Sequence, residues 1–154
     1  MLEIKKKIVV SGAFDLLHPG HTFLINEASK LGEVYVIVAR DVNVKKFKGE
    51  SPILPEDQRL EMVQNLKNVK KAIFGKIDSD YLKIIEEINP DIIMLGPNQK
   101  VTIKMIKNGL KAKGLEKIKI IRLEKFYNKH KFHSSTLIKE KIIKDYLKNK
   151  KERT

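Results

Sequence analysis

Residues 8–21 of the chain read Ile8-Val-Val-Ser-Gly-Ala-Phe-Asp-Leu-Leu-His-Pro-Gly-His21. The apolar β-branched start predicts a buried strand, and Pro19 suits the first position of a helix, where no N–H is needed. A residue before proline favours extended backbone, so His18 is expected at the mouth of that helix, with His21 on the same side. Gly20 has no side chain to keep an anion from the first N–H groups. The stretch therefore predicts a strand-to-helix turn that binds a nucleotide phosphate.

Two histidines at a helix start have a simpler interpretation, in which they are solvated or cap the helix. The sequence that follows favours the phosphate site, because its apolar residues recur with helical spacing, at Phe23, Leu24, Ala28 and Leu31. The motif then lies between a strand and a helix, which is the context that phosphate binding requires.

Composition limits the class of protein. The 154 residues, of which 42% are hydrophobic, suit a single domain over residues 1–150, followed by a disordered basic tail over 151–154. The net charge of +13 points to anionic partners, although the base composition of the genome or a heat-adapted host explains it better than a dedicated surface for polyanions. The chain has no cysteine, which excludes disulfides and thiolate chemistry. No apolar run approaches transmembrane length, so a cytoplasmic protein without a membrane partner is expected.

Apolar runs alternate with amphipathic stretches along the chain, which is typical of parallel βαβ units. The runs are apolar throughout, as in strands that helices cover on both faces. Strands are predicted at 7–10, 34–39, 71–74, 91–95 and 118–123, and helices at 19–31, 55–66, 79–87, 102–112 and 134–148.

Ligands of such sheets bind beyond the carboxyl ends of the strands. Segment 40–49 follows the second strand and is predicted to be a basic loop that closes over phosphates, with Lys46 and Lys48 as its charges. Exposed lysines of this kind are more often simply solvated. Asn98 follows the fourth strand in a tight turn, where its amide either faces a base or lies in a plain connection.

A second helix start follows the fifth strand, at Ser134-Ser135-Thr136. One hydroxyl is enough to cap a helix, so a run of three favours phosphate binding there. His130 and His133 precede the run without an H-E-x-x-H signature or a neighbouring carboxylate, and no metal site built from protein ligands is predicted.

These segments, in this order, resemble the cytidylyltransferase-like branch of the HIGH-motif nucleotidyltransferases. Within that branch the chain is most similar to the archaeal FAD synthases, over residues 37–41, 52–63 and 132–135, while the glycerol-3-phosphate cytidylyltransferases share most of the motifs. The segments that carry the resemblance are Gly12-x-Phe14-Asp15-x-x-His18-x-Gly20-His21, Lys46-x-Lys48-Gly49, Pro55-x-x-x-Gln58-Arg59, Leu95-Gly-Pro-Asn-Gln99 and Ser134-Ser-Thr-x-Ile138.

The resemblance implies a three-layer α/β/α sandwich with a Rossmann-like, five-stranded parallel sheet. It implies attack by a phosphomonoester on the α-phosphorus of a nucleoside triphosphate, with release of pyrophosphate and with Mg²⁺ carried by the triphosphate. The substrates implied are ATP and FMN, with CTP and a phosphoalcohol as the alternative. Since relatives are often dimers, a homodimer is also expected. A basic nucleic-acid-binding module is a remote alternative that rests on charge alone.

The resemblance also implies roles for single residues. The implied catalytic residues are His18, His21 and Lys46. Asp15, Lys48 and Arg59 would hold the acceptor or the lid. Related enzymes usually have aspartate where Asn98 stands, so the choice of base stays open. Beside the two histidines, the residues implied to contact the nucleotide are Ala13, Phe14, Pro19, Gly20, Asn98, Tyr127, Ser135 and Thr136.

Overall fold

The computed structural model describes residues 5–78 and 80–152. Its strands are β1 (Lys7–Gly12), β2 (Glu33–Val38), β3 (Val69–Phe74), β4 (Ile92–Leu95) and β5 (Lys119–Arg122). Its helices are α1 (Pro19–Ser29), α2 (Asp41–Lys48), α3 (Glu56–Gln64), α4 (Lys83–Ile88), α5 (Ile103–Ala112) and α6 (Ser135–Glu152).

The strands form one parallel sheet in the order β3-β2-β1-β4-β5. The strand β1 lies in the centre, between β2 and β4, so the order of the strands changes direction there. In open α/β sheets this point leaves a crevice beyond the carboxyl ends of the strands, where ligands bind. The predicted five-stranded parallel sheet is confirmed, and the crevice lies at the end of β1.

Two apolar clusters cover the two faces of the sheet, because successive side chains of a strand point to opposite sides. Ile8 and Val10 belong to the cluster beneath α1 and α3, whereas Val9 belongs to the cluster beneath α4 and α5. All three side chains are buried. Helices therefore lie on both faces, as the predicted three-layer sandwich requires.

The structure corrects the prediction for segment 40–49. Residues 41–48 form the helix α2 instead of a loop, with Asp41 in the first turn and Gly49 as a left-handed C-cap at φ 80°. The buried side chain of Asn43 donates a hydrogen bond to the carbonyl of Lys76 at 2.6 Å, which holds α2 against the segment that follows β3. The basic residues are thus presented on a fixed helix.

Two helix boundaries also differ from prediction. The helix α4 begins at Lys83, later than expected, and the predicted start at Ser79 lies outside the described residues. The helix α6 continues to Glu152, with ion pairs one turn apart at Lys141–Asp145 and Lys148–Glu152. The expected disordered tail is therefore wrong for residues 151 and 152, while 153 and 154 are not described. In the part of the chain that is described, no helix is long and apolar enough to span a membrane.

Candidate active site

His18 and His21 lie together at the start of α1, directly beyond β1. Their rings are stacked, with centroids 3.7 Å apart and an angle of 24° between the planes. Phe14 is buried beside them, its ring centroid 5.0 Å from that of His21. Phe14 also has a φ of 51°, which is uncommon outside glycine and typical of tight functional turns. The turn between β1 and α1 thus brings the two histidines together as predicted.

Both rings are neutral at pH 7. Burial, followed by the positive charges of His133 and Lys48, lowers the pKa of His18 to about 4. Burial, followed by the charges of His18 and Lys48, lowers the pKa of His21 to about 3, and the carboxylate of Asp15 opposes this only in part. A neutral imidazole donates through one nitrogen and accepts through the other. The pair is therefore suited to hydrogen bonding to phosphate oxygens.

The hydrogen bonds of His18 fix which of its nitrogens can donate. Its Nδ1 accepts from the N–H of Gly20 at 3.1 Å, so the proton of the neutral ring is on Nε2. In His21 the Nδ1 atom is buried and has no hydrogen-bond partner. Unsatisfied buried polar atoms are rare and are found disproportionately at functional sites. The N–H of His18 Nε2 is available to an anion.

The N–H groups at the start of α1 are not free, which contradicts the prediction for this helix. The N–H of Gly20 donates to the His18 ring, and those of His21 and Thr22 donate to the His18 carbonyl at 3.0 and 3.4 Å. Pro19 has no N–H to offer. The capping interpretation of His18 is therefore confirmed, and any phosphate contact at this helix start has to come from the imidazoles.

Gly20 is needed here for a different reason from the one predicted. A Cβ atom at this position would lie 2.6 Å from the carbonyl oxygen of His133, closer than real Cβ contacts come. The absence of a side chain lets the segment before α6 approach the start of α1. The two predicted phosphate-binding helix starts are thus neighbours in the fold.

The start of α6 leaves N–H groups free. The Ser134 hydroxyl accepts from the N–H of Leu137 at 3.3 Å, and the Ser134 carbonyl accepts from the N–H of Ile138 at 3.3 Å. In the described structure the N–H groups of Ser135 and Thr136 have no hydrogen-bond partner. The helix dipole favours negative charge at this end. Ser134 is thus the capping residue, and the N–H groups of the next two residues are free to bind an anion, while the Ser135 hydroxyl donates to the Leu16 carbonyl at 3.4 Å.

A cavity of about 190 Å³ lies between α2 and the start of α6. Pockets for whole small molecules usually have 300–1,000 Å³, so this volume suits phosphate groups rather than a complete nucleotide. Both walls contribute basic side chains. The lining residues are Asp15, Val44, Lys48, Glu50, Ser51, Pro52, Ser135, Thr136 and Lys139.

Lys48, rather than Lys46, is the basic residue that the structure brings to the histidines. Lys48 lines the cavity, and its charge acts on both rings. Lys46 is exposed and lies two residues earlier on α2, about 200° around the helix. Its catalytic role remains a prediction that no contact in the structure supports. Lys139 was missed at the sequence level, although its position one turn after Ser135 is a usable signal.

Arg59 does not face the site. Its side chain is wholly buried and donates to the carbonyls of Ala13, Leu54 (3.0 Å) and Ala39 (2.8 Å), while it also pairs with Asp41 at 2.7 Å. A guanidinium with these partners cannot reach an acceptor, whereas its ion pair with Asp41 holds the start of segment 40–49, the predicted lid. Arg59 instead ties the end of β1 to the end of β2 and the start of α2, which holds the Ala13 backbone in place.

Asp15 also acts on the backbone. Its carboxylate accepts from the N–H groups of Ile53 and Leu54 at 3.0 and 2.9 Å. The nearest cation is Lys139, whose Nζ lies 3.7 Å from the same carboxylate. Asp15 is buried at the wall of the cavity. It shapes the site through the segment after α2, and its predicted contact with an acceptor remains a prediction.

The turn after β4 is held by two residues that the sequence did not single out. Gln99 accepts from the N–H of Gly96 at 2.6 Å and donates to the Ser11 carbonyl at 3.0 Å. Arg122 donates to the carbonyls of Gly96 and Gln99 at 2.9 and 3.0 Å. Asn98 is exposed at the tip of this fixed turn. Both side chains are polar and lie near the end of a strand, Gln99 after β4 and Arg122 at the last position of β5. That placement is the sequence signal for their role.

The ring of Tyr127 packs against α1. Its ring centroid lies 5.7 Å from that of Phe23 and 6.0 Å from that of His130. In the sheet, β4 and β5 lie on one side of β1, whereas β2 and β3 lie on the other side. Asn98 follows β4 and Tyr127 follows β5, so both belong to the half of the carboxyl edge that is away from α2. The strand order thus places Asn98 and Tyr127 on the side of β1 opposite to α2, and their contact with a nucleotide remains a prediction.

The sequence that forms the site matches a known family. A family model described as cytidylyltransferase-like matches residues 9–141, which include the histidine turn, α2 and the start of α6. The chain belongs to the cytidylyltransferase-like family. The resemblance inferred from the motifs is confirmed.

Two curated relatives of this cytidylyltransferase-like protein are FAD synthases. That of Methanobrevibacter smithii is 44% identical over 139 residues, which is 88% of this chain and 90% of the relative. That of Aciduliprofundum boonei is 44% identical over 121 residues, which is 78% of this chain and 79% of the relative. The similarity therefore covers most of both proteins.

Solved structures have the same fold. A lipopolysaccharide core biosynthesis protein from Thermoplasma volcanium has a TM-score of 0.74 and 36% identity, covering 80% of this chain and 99% of that one. A protein of unknown function from Archaeoglobus fulgidus has a TM-score of 0.62 and 22% identity over 76% of this chain and 88% of that one. The second likeness concerns the fold alone.

Proposed function

We propose that this cytidylyltransferase-like protein is an FMN adenylyltransferase, which makes FAD and pyrophosphate from ATP and FMN. The observation that carries the proposal is the 44% identity to a FAD synthase over 88% of this chain and 90% of that protein. The family model matches residues 9–141, which include the histidine turn, α2 and the start of α6. The whole proposed site therefore lies within the family match.

The reaction requires alignment and charge stabilisation rather than a strong base. A phosphate oxygen of FMN attacks the α-phosphorus of ATP, and a new P–O–P linkage forms as the bond from the α-phosphorus to the oxygen bridging to the β-phosphorus breaks. Pyrophosphate leaves with the electron pair of that bond. Negative charge collects on the nonbridging and leaving oxygens, and hydrogen-bond donors fixed at those positions lower the barrier.

The described residues supply such donors. His18 would donate through Nε2–H and His21 through its neutral ring to the oxygens of the α-phosphate, because both are uncharged at pH 7. The free N–H groups of Ser135 and Thr136 would hold the β- and γ-phosphates. Lys48 would neutralise charge from the wall formed by α2. Each of these roles is part of the proposal.

Mg²⁺ fits this scheme as a companion of the triphosphate. The described residues contain no group of three His, Cys, Asp or Glu side chains arranged to hold a metal ion, and the oxygens of Asp15 are already bound to N–H groups. Mg²⁺ commonly keeps phosphate and water ligands in such sites. When bound, it would offset the charge of the leaving pyrophosphate.

The second candidate is transfer of a cytidylyl group from CTP to a phosphoalcohol. The description of the family model, cytidylyltransferase-like, favours it. The exposed amide of Asn98 both donates and accepts hydrogen bonds, so this residue is compatible with either base. The two candidates share the site and differ in the base and in the acceptor.

The experiment that separates them measures pyrophosphate release with Mg²⁺ for ATP or CTP against FMN, glycerol 3-phosphate and related phosphoalcohols. We expect release with ATP and FMN only, with FAD identified by mass. Release with CTP and a phosphoalcohol would replace the proposal by the second candidate. If no combination releases pyrophosphate and the protein binds DNA or RNA in a salt-sensitive way, the basic nucleic-acid-binding module would be favoured.

The homodimer belongs to the proposal as well. An exposed apolar face on α6, formed by Ile142, Ile143, Tyr146 and Leu147, is the surface that pairing would cover. Sedimentation of the protein at several concentrations measures whether it pairs.

A further inference from the structure

Two aromatic side chains contact each other on the surface without belonging to either core cluster. Phe47 of α2 is 60% exposed and Tyr81, in the segment between β3 and α4, is 42% exposed. Their ring centroids lie 5.2 Å apart, with 57° between the planes. Exposed aromatic faces of this kind are typical of binding surfaces rather than of folding cores. Packing in the two core clusters therefore does not account for the contact between Phe47 and Tyr81.

The pair lies at the functional edge of the sheet. Phe47 belongs to the element that follows β2, and Tyr81 to the segment that follows β3, so both are beyond the carboxyl ends of the strands. The hydrogen bond from Asn43 to the Lys76 carbonyl holds these two elements together. Phe47 is also next in sequence to Lys48, which lines the cavity and acts on both histidines. The pair is therefore fixed beside the proposed site of phosphate transfer.

The sheet order places the candidate residues on two halves of this edge. The histidines follow β1 in the centre, Asn98 and Tyr127 lie on the side of β4 and β5, and the aromatic pair lies on the side of β2 and β3. If the nucleoside occupies the first side, the acceptor has to come from another direction, and its attacking oxygen has to lie opposite the leaving pyrophosphate on the α-phosphorus. The half with the aromatic pair is free for the acceptor.

We propose that Phe47 and Tyr81 form the platform on which the isoalloxazine ring of FMN stacks, with the FMN phosphate directed toward the histidines. This inference rests on the proposed function. The isoalloxazine is a flat, conjugated three-ring system, and aromatic faces bind such rings by stacking. A small phosphoalcohol has no ring to stack. The platform therefore distinguishes FMN from an acceptor such as glycerol 3-phosphate.

Binding of FMN tests the platform without turnover. Flavin fluorescence is titrated with protein in the presence of Mg²⁺ and an ATP analogue that has a methylene group between the α- and β-phosphorus. We expect Phe47→Ala to raise the Kd for FMN about tenfold, Phe47→Tyr to retain wild-type affinity and Phe47→Leu to bind as weakly as Phe47→Ala. Tyr81→Ala is a second, independent variant with the same expected direction. Both side chains are exposed, so circular dichroism should show intact folds.

A matched control and a second readout complete the experiment. Leu31 is 41% exposed, like Tyr81, and lies between the end of α1 and the start of β2, at the opposite edge of the sheet, so Leu31→Ala should leave the Kd for FMN unchanged. In steady-state assays the KM for FMN should rise in Phe47→Ala while the KM for ATP stays within twofold. A rise in the KM for ATP alone, or an unchanged Kd for FMN, would overturn the platform.

The two readouts keep the two proposals apart. Turnover of ATP and FMN by the wild type with no effect of either platform variant would reject the platform and leave the function standing. Binding of FMN that needs Phe47, without pyrophosphate release, would support the platform and reject the function. An absence of FMN binding by the wild type would reject both.

Discussion

The starts of α1 and α6 are neighbours in the fold, yet they satisfy their backbones in opposite ways. At α1 the His18 ring and carbonyl accept the N–H groups of the first turn. At α6 a single serine caps the helix, and the N–H groups of Ser135 and Thr136 stay free. The start of α6 thus offers fixed backbone donors, and the start of α1 offers imidazole donors.

This difference suits two kinds of phosphate contact. Free N–H groups at a helix end bind negative charge whether or not a reaction is under way, which suits the β- and γ-phosphates. A neutral imidazole gains further basicity as negative charge develops next to it, because the charged form is then stabilised. The imidazole side is therefore suited to the α-phosphorus, where charge develops during the reaction, and the backbone side to the leaving group.

The largest expected effect concerns His21. In His21→Ala the proposed donor to the α-phosphate is lost, so kcat should fall about 100- to 1,000-fold, as it does when one fixed donor to a developing charge is removed elsewhere. The change breaks no hydrogen bond of the His21 Nδ1, but it removes the ring that stacks on His18 and packs beside Phe14, so the fold has to be checked. Single-turnover formation of FAD, with circular dichroism for the fold, measures both.

His21→Gln is the matched variant for that test. A glutamine amide places a neutral N–H near the position of the imidazole Nε2, so a part of the lost rate should return. Wild-type turnover by His21→Ala would contradict the proposed role, and a lost fold would show that the residue is structural.

A second prediction concerns the stability of the ligand-free protein between about pH 7.5 and about pH 5, where carboxylates stay ionised. The pKa values of His18 and His21 are about 4 and about 3 in the folded protein, against 6.5 when unperturbed. The unfolded chain therefore binds protons first as the pH falls, and the free energy of unfolding decreases below about pH 6.5. The slope is at most about 1.4 kcal/mol per pH unit for each histidine, and smaller for half-exposed His18, because solvent screens it.

Urea unfolding of wild type and His21→Gln at several pH values measures this slope. The variant should lose less stability between about pH 6.5 and about pH 5, because one of the two titrating groups is gone. Equal slopes would show that His21 is not held neutral by the fold. Near pH 7.5 the two proteins should show no difference in slope.

The sequence predicted the centre of the molecule better than its edges. The apolar strands and the turn from Gly12 to His21 follow from β-branched runs, from Pro19 and from the restricted residue before it. Segment 40–49 was interpreted as a loop because its lysines suggest solvent, whereas Asp41 in the first turn and Gly49 at the C-cap decide for a helix. The charge of a segment did not reveal its secondary structure there.

Tertiary contacts explain the remaining errors. The resemblance implies that Arg59 holds the acceptor or the lid, but it does not reveal that backbone carbonyls of three segments surround the guanidinium. The use of the first N–H groups of α1 by His18 depends on the orientation of one ring, which no spacing rule fixes. Gly20 was interpreted as an opening for an anion, and its neighbour proved to be the His133 carbonyl. Each of these outcomes depends on residues that lie far apart in the sequence or on a side-chain rotamer.

The smallest expected effects distinguish the capping serine from its neighbour at α6. Ser134→Ala removes the cap and should lower the free energy of unfolding by about 1 kcal/mol, with the KM for ATP nearly unchanged. Ser135→Ala removes a hydroxyl but keeps the free N–H, so the KM for ATP should rise only a few-fold. Ser135→Pro removes the N–H as well, and proline is tolerated at the first helical position. If backbone donors hold the triphosphate, Ser135→Pro should therefore raise this KM clearly more than Ser135→Ala, at similar stability, whereas equal values for the two variants would assign the contact to the hydroxyl.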